Sequence, residues 1–138
     1  MIAVFDIDGV LADPTHRQHH VASRPKDWAS FFAAVGGDEV LDAGRDRLNE
    51  LAADHEVVLL SGRPESTRAE TEAWLSRHGI AVTRLVLRRE DDHRPAAQVK
   101  SELIAGIGTP SEVVVVVDDD ASVTARLDAS GYRTELFR

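Results

Sequence analysis

Asp6 and Asp8 stand two residues apart, directly behind the apolar run Ile2-Ala3-Val4-Phe5 and just before Gly9. Gly9 lets the chain turn at once, so the two carboxylates can face one ligand in different roles. A carboxylate is a weak nucleophile and needs a positioned electrophile. Against a phosphate dianion it also carries the wrong sign of charge. A magnesium ion and an ammonium group must offset that repulsion. Asp118 and Asp119 are hard oxygen ligands of the kind magnesium prefers. Lys100 supplies a point charge, and Ser61 with the backbone N–H of Gly62 supplies donors to a phosphate oxygen.

Each of these features has a plainer reading when taken alone. An Asp pair behind a strand is often a turn or a helix N-cap. The run Asp118-Asp119-Asp120 is a common helix start, with Asp120 as the cap. Ser61-Gly62 by itself is a turn, and a lone lysine is a surface lysine. The joint occurrence in this order, each at a strand end or on the helix that follows one, points to a shared phosphate site. His16, His19 and His20 invite a zinc reading, but no second ligand group lies near them in sequence, so a flexible polar loop is the simpler account.

The elements that must position these residues are short β-branched runs alternating with helical stretches. That pattern predicts a doubly wound, mostly parallel α/β sheet. Strands are expected at Ile2 to Phe5, Glu56 to Leu60, Arg84 to Leu87, Val113 to Val117 and Thr134 to Phe137. The five consecutive valines suit a strand covered on both faces. Helices are expected at Leu41 to Asp54, Pro64 to His78, Pro95 to about Ile107 and Ala121 to Ser130. Open parallel sheets bind ligands beyond the carboxyl ends of their strands, which is where Asp6, Ser61 and Asp118 fall. The segment Leu11 to Gly37 breaks the alternation. Its Trp28, Phe31 and Phe32 form either a short helix packed on the body or a flap over the site mouth.

With 138 residues, residues 1–138 fit one domain carrying a small insert at about 11–37. The longest apolar run is too short to span a bilayer, and no basic leader precedes it. A membrane partner is therefore not expected. Cysteine is absent, which excludes disulfides and thiolate metal sites, and a cytoplasmic protein is the simple reading. A net charge of -8 argues against a broad nucleic-acid-binding face, yet leaves room for a small basic pocket that takes one strand end.

Phe5-Asp6-Ile7-Asp8-Gly9-Val10 resembles the first motif of the haloacid dehalogenase (HAD) superfamily, and Ser61, Lys100 and Asp118-Asp119 resemble its second, third and fourth motifs. The resemblance covers essentially the whole chain. It implies a Rossmannoid, HAD-like fold, with Asp6 as nucleophile, Asp8 as general acid and base, and Mg2+ held by Asp6, Asp8 and Asp118, with Asp119 nearby. Asp13-Pro14-Thr15-His16-Arg17, together with Ser61-Gly62-Arg63, is similar to the 3'-phosphatase domain of phage-type polynucleotide kinase-phosphatases. That similarity implies that Arg17 and Arg63 assist the phosphate site. Asp120 departs from this group, which more often has a basic residue there. A kinase-type Gly-x-x-x-x-Gly-Lys-Ser/Thr loop is also missing.

The enzyme so implied is a phosphomonoesterase with a minimal cap and hence an open site. An open site admits a polymer end, so the expected substrate is a DNA or RNA 3'-phosphate, with a 2',3'-cyclic phosphate as a further option. A phosphatase for nucleotides or other small phosphomonoesters is the alternative within the same chemistry. A receiver-like phospho-acceptor domain is the alternative of another class. Receivers carry the phosphorylated acid alone after a central strand, whereas the acids here are spaced by one residue after the first.

Overall fold

A computed structural model describes residues 1–138. Seven strands form two sheets: β1 (Ile2–Phe5), β2 (Ala12–Asp13), β3 (Glu39–Val40), β4 (Glu56–Pro64), β5 (Arg84–Arg88), β6 (Val113–Asp118) and β7 (Thr134–Leu136). The helices are α1 (Trp28–Ala33), α2 (Asp42–Ala52), α3 (Arg68–Arg77), α4 (Ala96–Leu103) and α5 (Ala121–Ala129). The main sheet has the order β5-β4-β1-β6-β7, and every neighbouring pair is parallel. This is the doubly wound, parallel α/β architecture expected from the alternating pattern.

Burial explains the layers. Along β1, Ala3 and Phe5 point into one cluster with Leu48 of α2 and Trp74 and Leu75 of α3. Val4 points the other way, into a cluster with Ile104 and with Val123 and Leu127 of α5. Successive side chains of a strand face opposite sides, so a central strand with helices on both sides must be apolar throughout, as β1 and β6 are. The chain runs outward from β1 to β4 and β5, then crosses back to β6 on the far side of β1. The sheet thus reverses direction between β1 and β6, and at such a switch point the loops part to leave a crevice. Phe5 lies in register with Val117, so the next residues, Asp6 and Asp118, leave adjacent strands side by side.

Two details differ from the sequence reading. Pro64 does not open a helix: it ends β4 in extended conformation, and α3 starts only at Arg68 after a 3-10 turn over Glu65–Thr67. The register against β5 shifts between Ser61 and Pro64, and such an irregularity re-aims side chains at a strand end. The second difference is the antiparallel ribbon of β2 and β3, which pairs Ala12 with Val40 and Asp13 with Glu39. It ties together the two ends of the 11–37 insert, so the insert leaves and rejoins the body at one place. The insert carries the short helix that was one of its two expected readings: Phe31 and Phe32 of α1 are half-buried, while Trp28 is 49% exposed.

Gly44 sets the docking of α2. A Cβ built there would lie 1.6 Å from the Val10 carbonyl oxygen, so only glycine lets the helix start approach the loop behind the first strand.

Candidate active site

Asp6 leaves the end of β1 and is buried. Asp118 ends β6 beside it, and Asp119 follows. One carboxylate oxygen from each of the three lies within 4.8 Å of the other two. Gly9 makes this possible at the turn: its φ is +84°, and a Cβ there would sit 1.9 Å from Asp119 Oδ2. A side chain at position 9 would therefore push Asp119 out of the cluster.

Lys100 reaches in from the middle of α4. Its Nζ lies 2.9 Å from Asp6 Oδ1 and 2.6 Å from Asp118 Oδ2. Burial favours the neutral amine, but the two carboxylates outweigh it and hold the lysine charged, its pKa raised above the ordinary value. Asp118 is further fixed by the Asp120 backbone N–H, which donates to its Oδ1 at 2.9 Å. Burial pushes the Asp6 carboxyl well up, and the neighbouring Asp118 and Asp8 add to the effect while Lys100 opposes it. Asp119 is raised as well, chiefly by burial.

Three carboxylates face one ammonium here, leaving two formal negative charges in excess. Oxygen donors, close mutual spacing and a charge deficit of two match the needs of a hard divalent cation. The donor set therefore fits a metal ion, and Asp6, Asp118 and Asp119 would hold it.

A second group stands beside the first. The Asp8 carboxylate accepts from Arg17 Nη2 at 2.6 Å and from Arg63 Nη2 at 2.8 Å. Burial would raise its pKa, yet Arg63 and then Arg17 bring it below the ordinary carboxylate range. Both guanidinium groups are themselves gripped by Asp38. Its carboxylate accepts from Arg17 Nε and Nη2, both at 2.8 Å, and from Arg63 Nη2 at 3.1 Å. His16 Nε2 lies 2.7 Å from the same carboxylate, and the indole N–H of Trp74 donates to the Asp38 backbone carbonyl at 2.8 Å. Two acids and two bases thus close a buried, charge-balanced network. Arg17 Nη1 is buried and makes no hydrogen bond.

The sequence-predicted residues thus fall into two neighbouring sets. Asp6, Lys100, Asp118 and Asp119 converge directly. Asp8, Arg17 and Arg63 converge on one another. The two arginines, expected at a phosphate, are oriented by carboxylates on both sides. Ser61 is buried, and its Oγ accepts from the Arg63 backbone N–H at 3.0 Å, which leaves its hydroxyl proton free to donate. Gly62 has its carbonyl engaged by Arg88 Nε at 2.7 Å. Asp120 caps α5, its carboxylate accepting from the Ser122 backbone N–H at 2.9 Å. His16 is drawn to Asp38, while the His19 and His20 rings meet at a 39° tilt with centroids 4.0 Å apart. Sequence reasoning missed Asp38. It sits alone at the end of the insert with no spacing to a partner, and only its position just before β3 brings it in.

Comparisons with known proteins follow this geometry. The family model for the polynucleotide kinase PNKP phosphatase domain matches residues 1–134. No curated protein matches in sequence. Among solved structures, a chain of a Pnkp1/Rnl/Hen1 RNA repair complex superposes with a TM-score of 0.82 at 21% identity, covering 99% of this chain and 42% of that one. A second structure of the Pnkp1/Rnl/Hen1 complex gives 0.80 at 23%, covering 99% and 45%. This chain therefore spans less than half the length of those two. A haloacid dehalogenase-like hydrolase of Streptococcus pneumoniae gives 0.65 at 12%, covering 96% and 82%. A HAD family enzyme of Bacteroides thetaiotaomicron, in complex with magnesium and inorganic phosphate, gives 0.59 at 13%, covering 97% and 92%.

Proposed function

The chain belongs to the polynucleotide kinase PNKP phosphatase-domain family of HAD-type phosphatases, and from that premise we propose that it is a magnesium-dependent polynucleotide 3'-phosphatase working through an aspartyl-phosphate on Asp6. It is a phosphomonoesterase by family. The single observation that carries the finer reading is the meeting of Asp6, Asp118 and Asp119 oxygens within 4.8 Å, with Lys100 wedged against two of them. A bound magnesium ion would supply charge neutralisation for the phosphoryl oxygens and for the Asp6 carboxylate.

In the first step an Asp6 oxygen forms a bond to phosphorus while the bond to the strand's 3'-oxygen breaks. Asp8 gives its proton to the departing oxygen, which leaves as a 3'-hydroxyl. Arg63 and Arg17 keep Asp8 ionised at rest. The incoming phosphate, doubly negative and close to the same guanidinium groups, offsets their pull and lets Asp8 carry the proton it donates. In the second step Asp8, ionised again, takes a proton from water as the water oxygen attacks phosphorus. The bond from phosphorus to Asp6 breaks and inorganic phosphate leaves. On this reading Ser61, Lys100 and Arg17 hold the transferring oxygens, electrostatic stabilisation that costs no reorganisation during the reaction. Residues 1–138 act as one domain, with the 11–37 insert as its minimal cap.

The substrate reading rests on the small size of the 11–37 insert, the Arg17 and Arg63 pair, and the likeness to chains of an RNA repair complex. The test is a panel of phosphomonoesters, with and without magnesium, that includes oligonucleotide 3'-phosphate, oligonucleotide 5'-phosphate and a 3'-mononucleotide. Preferential release from the oligonucleotide 3'-phosphate, lost on chelation, is the expected result. Equal or better turnover of the mononucleotide would replace this reading with a small-molecule phosphatase.

A further inference from the structure

The chain is acidic overall, yet the thirteen residues from Pro14 to Lys26 carry Arg17, Arg24, Lys26 and three histidines with no acid among them. Of these, Arg24, Lys26, His16 and His19 are exposed. This local positive face opens directly onto an aromatic cluster. Trp28 meets Phe32 in a stacked arrangement at 5.8 Å and 22°, and meets Phe31 edge-on at 5.6 Å. Lys26 Nζ lies 5.6 Å from the Trp28 ring centroid. At the inner end of the cluster, the Arg17 guanidinium lies 4.4 Å over the Phe31 ring. Arg17 in turn bonds Asp8. An unbroken line of contacts thus runs from a half-exposed tryptophan to the reacting centre.

We propose that this face of the insert is a docking surface for a single-stranded nucleic-acid end, with Trp28 stacking the base of the 3'-terminal nucleotide and Lys26 and Arg24 taking the internucleotide phosphates behind it. The inference rests on the strand-end reading of the site and extends it to the residues that hold the strand. Base stacking on an aromatic ring beside a basic groove is sequence-tolerant and is how single strands are held. Protein-binding patches are built differently: they enrich aromatics but deplete lysine. In a chain whose net charge is -8, a local basic face is a stretch that a polyanion approaches with less repulsion. The order of contacts also fits the substrate. Its 3'-phosphate belongs at Asp6, its terminal sugar beside Asp8, and its base one step further out, where Trp28 lies.

The test uses the whole chain with magnesium and a product-type oligonucleotide bearing a 3'-hydroxyl, so that binding is read without turnover. Trp28→Ala is expected to weaken binding about 5- to 150-fold, and Trp28→Phe to restore most of it. An oligonucleotide with an abasic 3'-terminal nucleotide should bind wild type as weakly as the normal end binds Trp28→Ala. Lys26→Gln should lower the salt dependence by about one charge. Turnover of a small phosphomonoester by Trp28→Ala should match wild type. Unchanged oligonucleotide binding in Trp28→Ala, or an equal further loss on the abasic end, overturns the docking surface and leaves aromatic packing or a protein contact as the role of the cluster. The two levels separate cleanly. Binding that depends on Trp28 without release of 3'-phosphate sinks the phosphatase substrate reading alone, whereas release of 3'-phosphate by Trp28→Ala at the wild-type KM sinks the docking surface alone.

Discussion

Two clusters of charged side chains stand next to each other at the carboxyl edge of the sheet, and their charge balance differs. At the ends of β1 and β6, Asp6, Asp118 and Asp119 surround Lys100 with an excess of two negative charges. Beneath the insert, Asp8 and Asp38 exactly offset Arg17 and Arg63 in formal charge. The first cluster is built on adjacent parallel strands and one helix, elements held by the apolar core. The second depends on the insert, because Arg17 lies within it and Asp38 directly follows it. An unbalanced cluster is a receptor for a cation. A balanced one has no such demand, and it fixes the direction of a carboxylate. On the mechanism proposed above, the difference separates metal attraction in the first cluster from proton placement in the second.

The most severe way to probe the contrast is Asp6→Asn. Turnover should fall to background while the thermal midpoint holds or rises, since burial already disfavours the ionised form of Asp6. Calorimetry with the activity assay checks both halves, and measurable wild-type turnover in this variant would end the mechanism. Next comes Lys100→Met, which leaves three carboxylates without their cation. Stability should fall by about 3–5 kcal/mol, activity by about a hundredfold or more, and added magnesium should recover more stability here than in wild type.

Asp38→Asn probes the balanced cluster. It should lower kcat by about a hundredfold, through misplacement of Asp8, with little change in KM or in magnesium affinity. A matching loss of magnesium affinity would show the two clusters to be one. The pH dependence has a definite sign. Asp8 is held below its ordinary range, so its ionised form contributes stability that is fully present above about pH 4 and is lost as pH falls through the depressed value. Urea unfolding of wild type should therefore weaken on acidification more steeply than that of Asp8→Asn. The smallest effect belongs to Asp120→Ala, which removes the cap of α5. About 1 kcal/mol of stability should go, with activity unchanged. A large activity loss there would extend the metal cluster to a third consecutive aspartate.

Legibility in the sequence followed the range of the interactions. β1 and β6 were readable because a buried parallel strand is apolar on both faces, and the valine run leaves no other assignment. Asp6 and Asp118 were readable as strand-end residues for the same reason, whereas Ser61, expected just behind its strand, lies within β4. The start of α3 was misread because Pro64 is equally at home opening a helix and ending a strand, and the register shift at Ser61 decided for the strand. The β2–β3 ribbon has two residues per strand, too few for any period to show. Asp38 left no mark at all, since a single aspartate between loop residues has the same local chemistry whether it is solvated or buried.

What the sequence by itself determined is the alternation of elements and the identity of the groups delivered to the sheet edge. Both follow from local periodicity and from residue type. The tertiary structure alone decided which acid faces which base. Pairing of Arg17 and Arg63 with Asp8 and Asp38 joins residues 9 to 55 positions apart. Such bonds form only after the core has brought distant segments within a few ångströms, where low dielectric makes an unpaired charge costly and so selects one arrangement.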